Sequence, residues 1–215
     1  EDNNISAYSD LSGYALYIGG SASDGPGLIQ NNNVTRGDYL IYSYGPNNVS
    51  IRDNVLSRGM DSNGINCGSG SCDVINNTIS CAVYNDASNG AIILSTGTHL
   101  AENNTIKDSC TYGIRADSGT LLIKNNNITN PGIWGIYLCN VGAGILNINV
   151  TRDNLVDNRF VPYYFKESGS ASNNDWNLTG IINTGVTLVS LNNFVLDNNN
   201  MTNYRGSYKP NGISL

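Results

Sequence analysis

Tyr112-Gly113-Ile114-Arg115-Ala116-Asp117 is followed in the chain by Asn125-Asn126-Asn127-Ile128, and both phrases recur. Aligning every segment of the form Asn-Asn-x-Ile places apolar residues at Val34, Val55, Ile79, Ile106, Ile128, Leu155, Leu178 and Met201. The intervals are 21, 24, 27, 22, 27, 23 and 23 residues. Two residues before each apolar position stand Asn32, Asp53, Asn77, Asn104, Asn126, Asp153, Trp176 and Asn199. The other phrase recurs out of phase, roughly Gly-Ile-x-apolar-x-x-Gly. Its copies are Tyr14–Gly19, Tyr39–Gly45, Gly64–Gly70, Gly90–Gly97, Gly113–Gly119, Gly135–Gly142 and Gly185–Leu191. A third short segment often leads into the asparagines: Gly27–Gln30, Val49–Arg52, Asp73–Ile75, Thr120–Lys124 and Asn147–Thr151.

A period of about 24 residues holding two or three short strands cannot bury its own apolar face and must stack on the next copy. Side chains alternate along a strand, so Ile114 and Ala116 face one way while Arg115 and Asp117 face the other. Like stacked on like gives an apolar interior and a polar exterior. The expectation is an all-β, single-stranded parallel β-helix of about nine coils, forming one domain over residues 1–215. Asn32, Asn77, Asn104, Asn126 and Asn199 are expected to form an internal ladder. Asparagine tolerates the left-handed turn, and its amide both donates and accepts across the spacing of about 4.8 Å between coils.

Composition agrees. The 215 residues include 36 Asn and 24 Gly, and only 13% are charged. Asn, Gly, Ser and Thr are poor helix formers. Lys+Arg 11 against Asp+Glu 17 gives a net charge of −6 with no basic cluster, which excludes a nucleic-acid footprint. No apolar run has the length of a transmembrane helix. Beginning at Glu1 without a basic-then-apolar leader, the chain is expected to be either the mature form of an exported protein or a trimmed piece of a longer one.

The paired phrases Tyr112-Gly113-Ile114 and Asn125-Asn126-Asn127-Ile128 resemble the right-handed parallel β-helix repeat proteins, the pectin-lyase-like superfamily, and within it the NosD-like and surface-protein branch. The resemblance covers nearly the whole chain and implies the right-handed β-helix fold. It does not select a function, because this fold hosts lyases, hydrolases, epimerases, adhesins and structural proteins.

Catalytic patterns of that superfamily are missing. The sole histidine, His99, lies in Gly97-Thr98-His99-Leu100 with no following glycine and reads as a loop histidine, and no Asp-Asp pair occurs. The strongest catalytic candidates are Arg115 and Asp117 on one outer face, with Asp108 on the preceding coil, which would suit an acidic sugar. Their competing reading is a solvated outer face with a surface ion pair. No cofactor or metal is expected.

Aromatic clusters at Tyr39, Tyr42 and Tyr44 and at Tyr163, Tyr164 and Phe165, together with Trp134 and Trp176, are candidates for sugar stacking or a protein interface. Nine Asn-x-Ser/Thr triplets mark glycosylation acceptors in an exported chain: Asn4, Asn33, Asn48, Asn76, Asn103, Asn127, Asn149, Asn177 and Asn200. Cys67 and Cys72 flank a flexible loop and are expected to form a disulfide. Cys81 and Cys110 follow equivalent positions on successive coils and form the second expected pair. Cys139 is left over, for a buried thiol or an intermolecular bridge.

No cap helix is evident at either end. The functional expectation is an extracellular or cell-surface structural protein that polymerises head to tail with copies of itself, without enzymatic activity. The alternatives are a carbohydrate-active or carbohydrate-binding β-helix, or an adhesin, with glycans as partners.

Overall fold

The computed structural model describes residues 3–6, 13–20, 26–37, 39–45, 48–59, 63–80, 90–108, 111–139 and 148–161, and the backbone of short strands between 163 and 214. After β1 (Asn4–Ser6), the described residues form six three-strand coils. The first is β2 (Tyr14–Gly19), β3 (Gly27–Gln30) and β4 (Asn33–Gly37). The second is β5 (Tyr39–Tyr44), β6 (Asn48–Arg52) and β7 (Val55–Gly59). The third is β8 (Ile65–Cys67), β9 (Ser71–Ile75) and β10 (Thr78–Ser80), and the fourth β11 (Gly90–Leu94), β12 (Thr98–Glu102) and β13 (Thr105–Lys107). The fifth is β14 (Tyr112–Ala116), β15 (Thr120–Lys124) and β16 (Asn127–Thr129), and the sixth β17 (Trp134–Leu138), β18 (Ile148–Val150) and β19 (Leu155–Val156).

Equivalent strands pair in parallel from coil to coil, giving three sheets. The first sheet contains β2, β5, β8, β11, β14 and β17. The second contains β3, β6, β9, β12, β15 and β18. The third runs from β1 through β4, β7, β10, β13 and β16 to β19. The expected stack of nine coils is therefore corrected. Asp157 and Asn158 both take positive φ, 49° and 62°, the geometry of a tight hairpin turn. The chain doubles back there, and β20 (Arg159–Phe160) pairs antiparallel with β19. Beyond it, seven short strands from β21 (Tyr163–Phe165) to β27 (Ile213–Ser214) form three smaller parallel sheets, which share no ladder with the first three among the described residues.

Each sheet contributes one unbroken apolar column to the interior. In the first sheet Ile41, Ile65, Ile92, Ile114 and Ile136 are in register and fully buried. In the second, Ile51, Val74, Ala101, Ile123 and Val150 do the same. In the third, the column is Val34, Leu56, Ile79, Ile106, Ile128 and Val156. Burying each large side chain stabilises the stack by about 1.5–3 kcal/mol, so the column repeats drive the fold.

The third column corrects the sequence alignment at two coils, where Leu56 and Val156 stand in place of Val55 and Leu155. Val55 is 50% exposed. The asparagine ladder sets this register. Asn32, Asn54, Asn77, Asn104, Asn126 and Asn154 are buried, and each side-chain amide bonds to the next: Asn32 to Asn54 at 3.1 Å, Asn54 to Asn77 at 3.0 Å, Asn77 to Asn104 at 3.1 Å, Asn104 to Asn126 and Asn126 to Asn154 at 2.9 Å. Asn3 joins the start of the ladder at 3.2 Å. An aspartate accepts but cannot donate, so the ladder takes Asn54 and Asn154 rather than Asp53 and Asp153. Asn199 lies outside the described residues.

The ladder asparagines are not the left-handed residues of the turn. That position belongs to their predecessors, Asn31, Asp53, Asn76, Asn103 and Asn125, with φ between 55° and 56°. Turn geometry and amide bonding are divided between two adjacent residues. At the corner between the first two sheets, positive-φ Gly45, Gly70, Gly97 and Gly119 occupy successive coils. A Cβ on Gly119 would lie 2.4 Å from the Gly97 carbonyl oxygen, so backbone stacks on backbone there.

Candidate functional site: the tyrosine face of the first sheet

Two stacked strands put five tyrosines on one outer surface. Register pairs Tyr14 with Tyr39 and Tyr17 with Tyr42. Simple alternation would send some of these rings inward, but Leu40 and Ile41 are both fully buried. The two-residue phase resets at that step, and Tyr39, Tyr42 and Tyr44 all escape the core. Tyr42 is the hub of the cluster. Its ring centroid is 4.9 Å from Tyr14, 5.4 Å from Tyr39, 5.7 Å from Tyr17 and 6.3 Å from Tyr44. The planes of Tyr17 and Tyr44 lie within 11° and 13° of it, and Tyr39 meets it edge-on at 76°. Such pairs add about 0.5–1.5 kcal/mol beyond burial and hold the rings as a unit.

Tyr14, Tyr17 and Tyr44 remain 47%, 57% and 54% exposed. Neither β2 nor β5 carries a charged side chain. Burial, and then the neighbouring phenols of Tyr14, Tyr39, Tyr17 and Tyr44, push the Tyr42 hydroxyl above the ordinary tyrosine range. Among the described residues of β2 and β5 the face is thus uncharged, aromatic and rich in hydroxyls, a surface that can stack on apolar rings while hydrogen-bonding at their edges.

The same sheet changes character along the stack. In register, Tyr42 is followed by Asn66, Ile93, Arg115 and Tyr137. Arg115 Nε bonds Asp117 Oδ1 at 2.6 Å, and the two side chains are 20% and 22% exposed. Arg115 Nη2 also approaches the Cys139 sulfur at 3.9 Å. Burial pulls the guanidinium pKa down, but bonding to Asp117 and Cys139 raises it overall. Burial and Asp117 hold the Cys139 thiol above its usual pKa, against the pull of Arg115, so it is a weak nucleophile. Tyr112 stacks on Tyr137 at 4.2 Å and 8°.

The three candidate catalytic residues do not converge. Asp108 follows β13 on the third sheet, and its carboxylate accepts from the Asn130 side-chain amide at 2.9 Å. Arg115 lies on β14 of the first sheet, and Asp117 directly follows that strand. Arg115 and Asp117 are paired on one outer face, whereas Asp108, expected on the preceding coil, stands across the corner between sheets. His99 is not in a loop either. It stands on β12, 3% exposed, in register between Cys72 and Leu121.

A family model described as a right-handed β-helix region matches residues 1–175. The chain belongs to the right-handed β-helix family. Searches of curated proteins and of solved structures found no match. The family model thus supports the architecture, and the chemistry lies in the residues of this β-helix itself.

The remaining sequence candidates fall as follows. Cys67 and Cys72 form a disulfide inside the core, and Cys139 is free. Cys81 and Cys110 lie outside the described residues. Among the acceptor triplets, Asn4, Asn33, Asn48, Asn76, Asn103 and Asn127 are exposed and Asn149 is half-buried. Asn4, Asn33 and Asn127 share one outer column of the third sheet, and in Asn33-Val34-Thr35 and Asn127-Ile128-Thr129 the buried middle residue leaves both polar side chains outward. The side chains of Asn177 and Asn200 lie outside the described residues, as do those of Tyr163, Tyr164, Phe165 and Trp176. Trp134 is buried, which removes it as a stacking platform. No helix among the described residues is long and apolar enough to cross a membrane.

Tyr14 and Tyr17 are hidden from a linear reading because they lie 25 residues from their partners. The signal is present in the aligned copies, Tyr14-x-x-Tyr17 over Tyr39-x-x-Tyr42.

Proposed function

We propose that this β-helix is a rigid, exported recognition scaffold that docks uncharged carbohydrate on the tyrosine face of its first sheet, without a catalytic step. The observation that carries the reading is the cluster of five contiguous rings, three of them about half exposed, with no charge on their strands. Aromatic side chains with polar tips suit a partner that is apolar on one face and hydroxylated at its rim. An acidic chain with an uncharged face is poorly matched to a polyanion. The buried disulfide and the exposed acceptor asparagines support an oxidising, extracellular location.

The self-assembling filament expected from the sequence competes for the same rings, since two copies packed face to face would cover them. One experiment separates the two. Purified protein is tested for retention on insoluble neutral polysaccharides and on polygalacturonate, and its mass is followed by sedimentation across a concentration series. Retention on a neutral polysaccharide, lost in Tyr17→Ala/Tyr44→Ala, supports the docking reading. Concentration-dependent growth abolished by the same substitutions supports assembly instead. Retention on polygalacturonate that survives them overturns the tyrosine face as the site.

A further inference from the structure

The corner joining β8 to β9 is Gly68-Ser69-Gly70, bracketed by the Cys67–Cys72 disulfide. Both cysteines are fully buried. This corner touches the tyrosine strand at several points. The Gly68 N–H donates to the Ser43 carbonyl at 2.8 Å, and the Gly45 N–H donates to Ser69 Oγ at 3.1 Å. These two bonds bracket Tyr44. Its ring also lies against Gly68 so closely that a Cβ there would fall 2.8 Å from Tyr44 Cδ2 and 3.6 Å from Tyr42 Oη. The exposed end of the tyrosine face therefore rests on a corner of three small residues, two of them glycines with wide conformational freedom. Within that corner, the covalent constraint is the disulfide.

We propose that the Cys67–Cys72 disulfide is the positioning element of the tyrosine face, fixing the corner on which Tyr42 and Tyr44 are seated, so that its reduction loosens those rings and weakens docking while the β-helix stays folded. The proposal rests on the tyrosine-face reading for its functional consequence, but the structural coupling stands apart from any ligand. Reduction by a dithiol transfers two electrons and two protons to the sulfur pair, giving two thiols while the dithiol closes to its own disulfide. Because both sulfurs are buried, exchange proceeds through local opening of the corner and is slow.

The test compares wild type with Cys67→Ser/Cys72→Ser by three measurements: far-UV circular dichroism for the fold, tyrosinate absorbance against pH for the ring cluster, and retention on the neutral polysaccharide that wild type binds. The expected result is an unchanged β spectrum, a high-pH tyrosine component shifted toward ordinary tyrosine, and retention about tenfold weaker. An unchanged tyrosine titration in a folded variant overturns the proposal. Should the serine pair fail to fold, Cys67→Ala/Cys72→Val refills the core with apolar groups, and the same titration decides. Gly68→Ala pushes on Tyr44 with the disulfide intact, and an undisturbed titration there equally overturns the coupling. If wild type binds no polysaccharide yet the titration responds, the docking reading fails and the positioning role stands.

Discussion

The side-chain amide of Asn77 donates to Asn104 Oδ1 at 3.1 Å, and the backbone N–H of Asn77 donates to the same oxygen at 2.9 Å, across 27 residues of sequence. Asn104 in turn gives its amide to Asn126 Oδ1 at 2.9 Å and to the Val74 carbonyl at 2.8 Å. One side chain thus ties successive coils together in a site without water access. Asn104→Ala leaves these donors and acceptors unmatched, and a loss of about 3 kcal/mol is expected in urea unfolding. Asn104→Asp keeps the acceptor, loses the donor and buries a charge, so it is expected to be worse at neutral pH and to recover partly in acid. The exposed neighbour Asn127→Ala should change stability by less than about 0.5 kcal/mol. Equal effects at Asn104 and Asn127 would refute the ladder as a stabilising element.

The corner glycines set a separate limit. Gly119 has φ of 105°, and its missing Cβ leaves room for the Gly97 carbonyl at 2.4 Å. Gly119→Ala meets both backbone strain and a steric clash with another backbone. A loss of about 2–4 kcal/mol is expected by denaturant titration. Tolerance of alanine there would mean that the coils stand further apart than this close approach requires.

The apolar columns are legible because they depend on a period that the sequence displays directly. Ile79, Ile106 and Ile128 align by spacing alone, and they are in register. The slip at Val55 and Leu155 arises because Asp and Asn look alike as turn residues, and only the donor requirement of the ladder separates Asp53 from Asn54. The β19–β20 hairpin is written in Asp157-Asn158, a pair that repeat alignment treats as one more polar turn. The tyrosine face is half legible. Tyr39, Tyr42 and Tyr44 are close in sequence, but Tyr14 and Tyr17 join them only through coil register, and their outward direction depends on the phase reset at Leu40-Ile41. His99 is easily misread because a polar residue in a glycine-bounded segment looks like a loop. Strand alternation over Thr98–Glu102 places it inward with Ala101.

On the second sheet, burial and then Glu102 raise the Asp73 carboxyl above the ordinary aspartate pKa. A carboxyl raised on folding favours the protonated form, so its contribution is present below the unfolded pKa and is lost as pH rises through the folded one. At neutral pH the ionised group burdens the fold. Asp73→Asn is therefore expected to raise the urea midpoint modestly near pH 7 and to leave it unchanged in acid. Lys124 holds Glu102 at 3.0 Å, and replacing it with Gln should enlarge the gain from Asp73→Asn. A lower midpoint for Asp73→Asn at neutral pH would reverse this assignment.

His99 gives the clearest pH signature because the chain has one histidine. Its ring is buried beside Gly97, whose absent Cβ would lie 3.0 Å from both Cε1 and Nε2. Neither ring nitrogen has a hydrogen-bond partner of good geometry, although the nearby Thr96 backbone weakly favours the charged form. Burial is the larger effect and lowers the pKa below the ordinary histidine value of 6.5. Unfolding then takes up a proton, so the stability associated with the neutral ring is present above about pH 6.5 and is lost as pH falls. The slope is up to about 1.4 kcal/mol per pH unit until the folded ring itself protonates. His99→Leu fills the same interior position without a titrating group, and the difference in unfolding free energy between it and wild type isolates the histidine from the carboxylates. That difference should change as pH falls below about 6.5 and stay flat above about pH 7. The imidazole resonances of the folded protein should show the same depressed midpoint by NMR. A midpoint at or above the ordinary histidine value, or a pH-independent difference between the two proteins, would place His99 in contact with solvent rather than in the core.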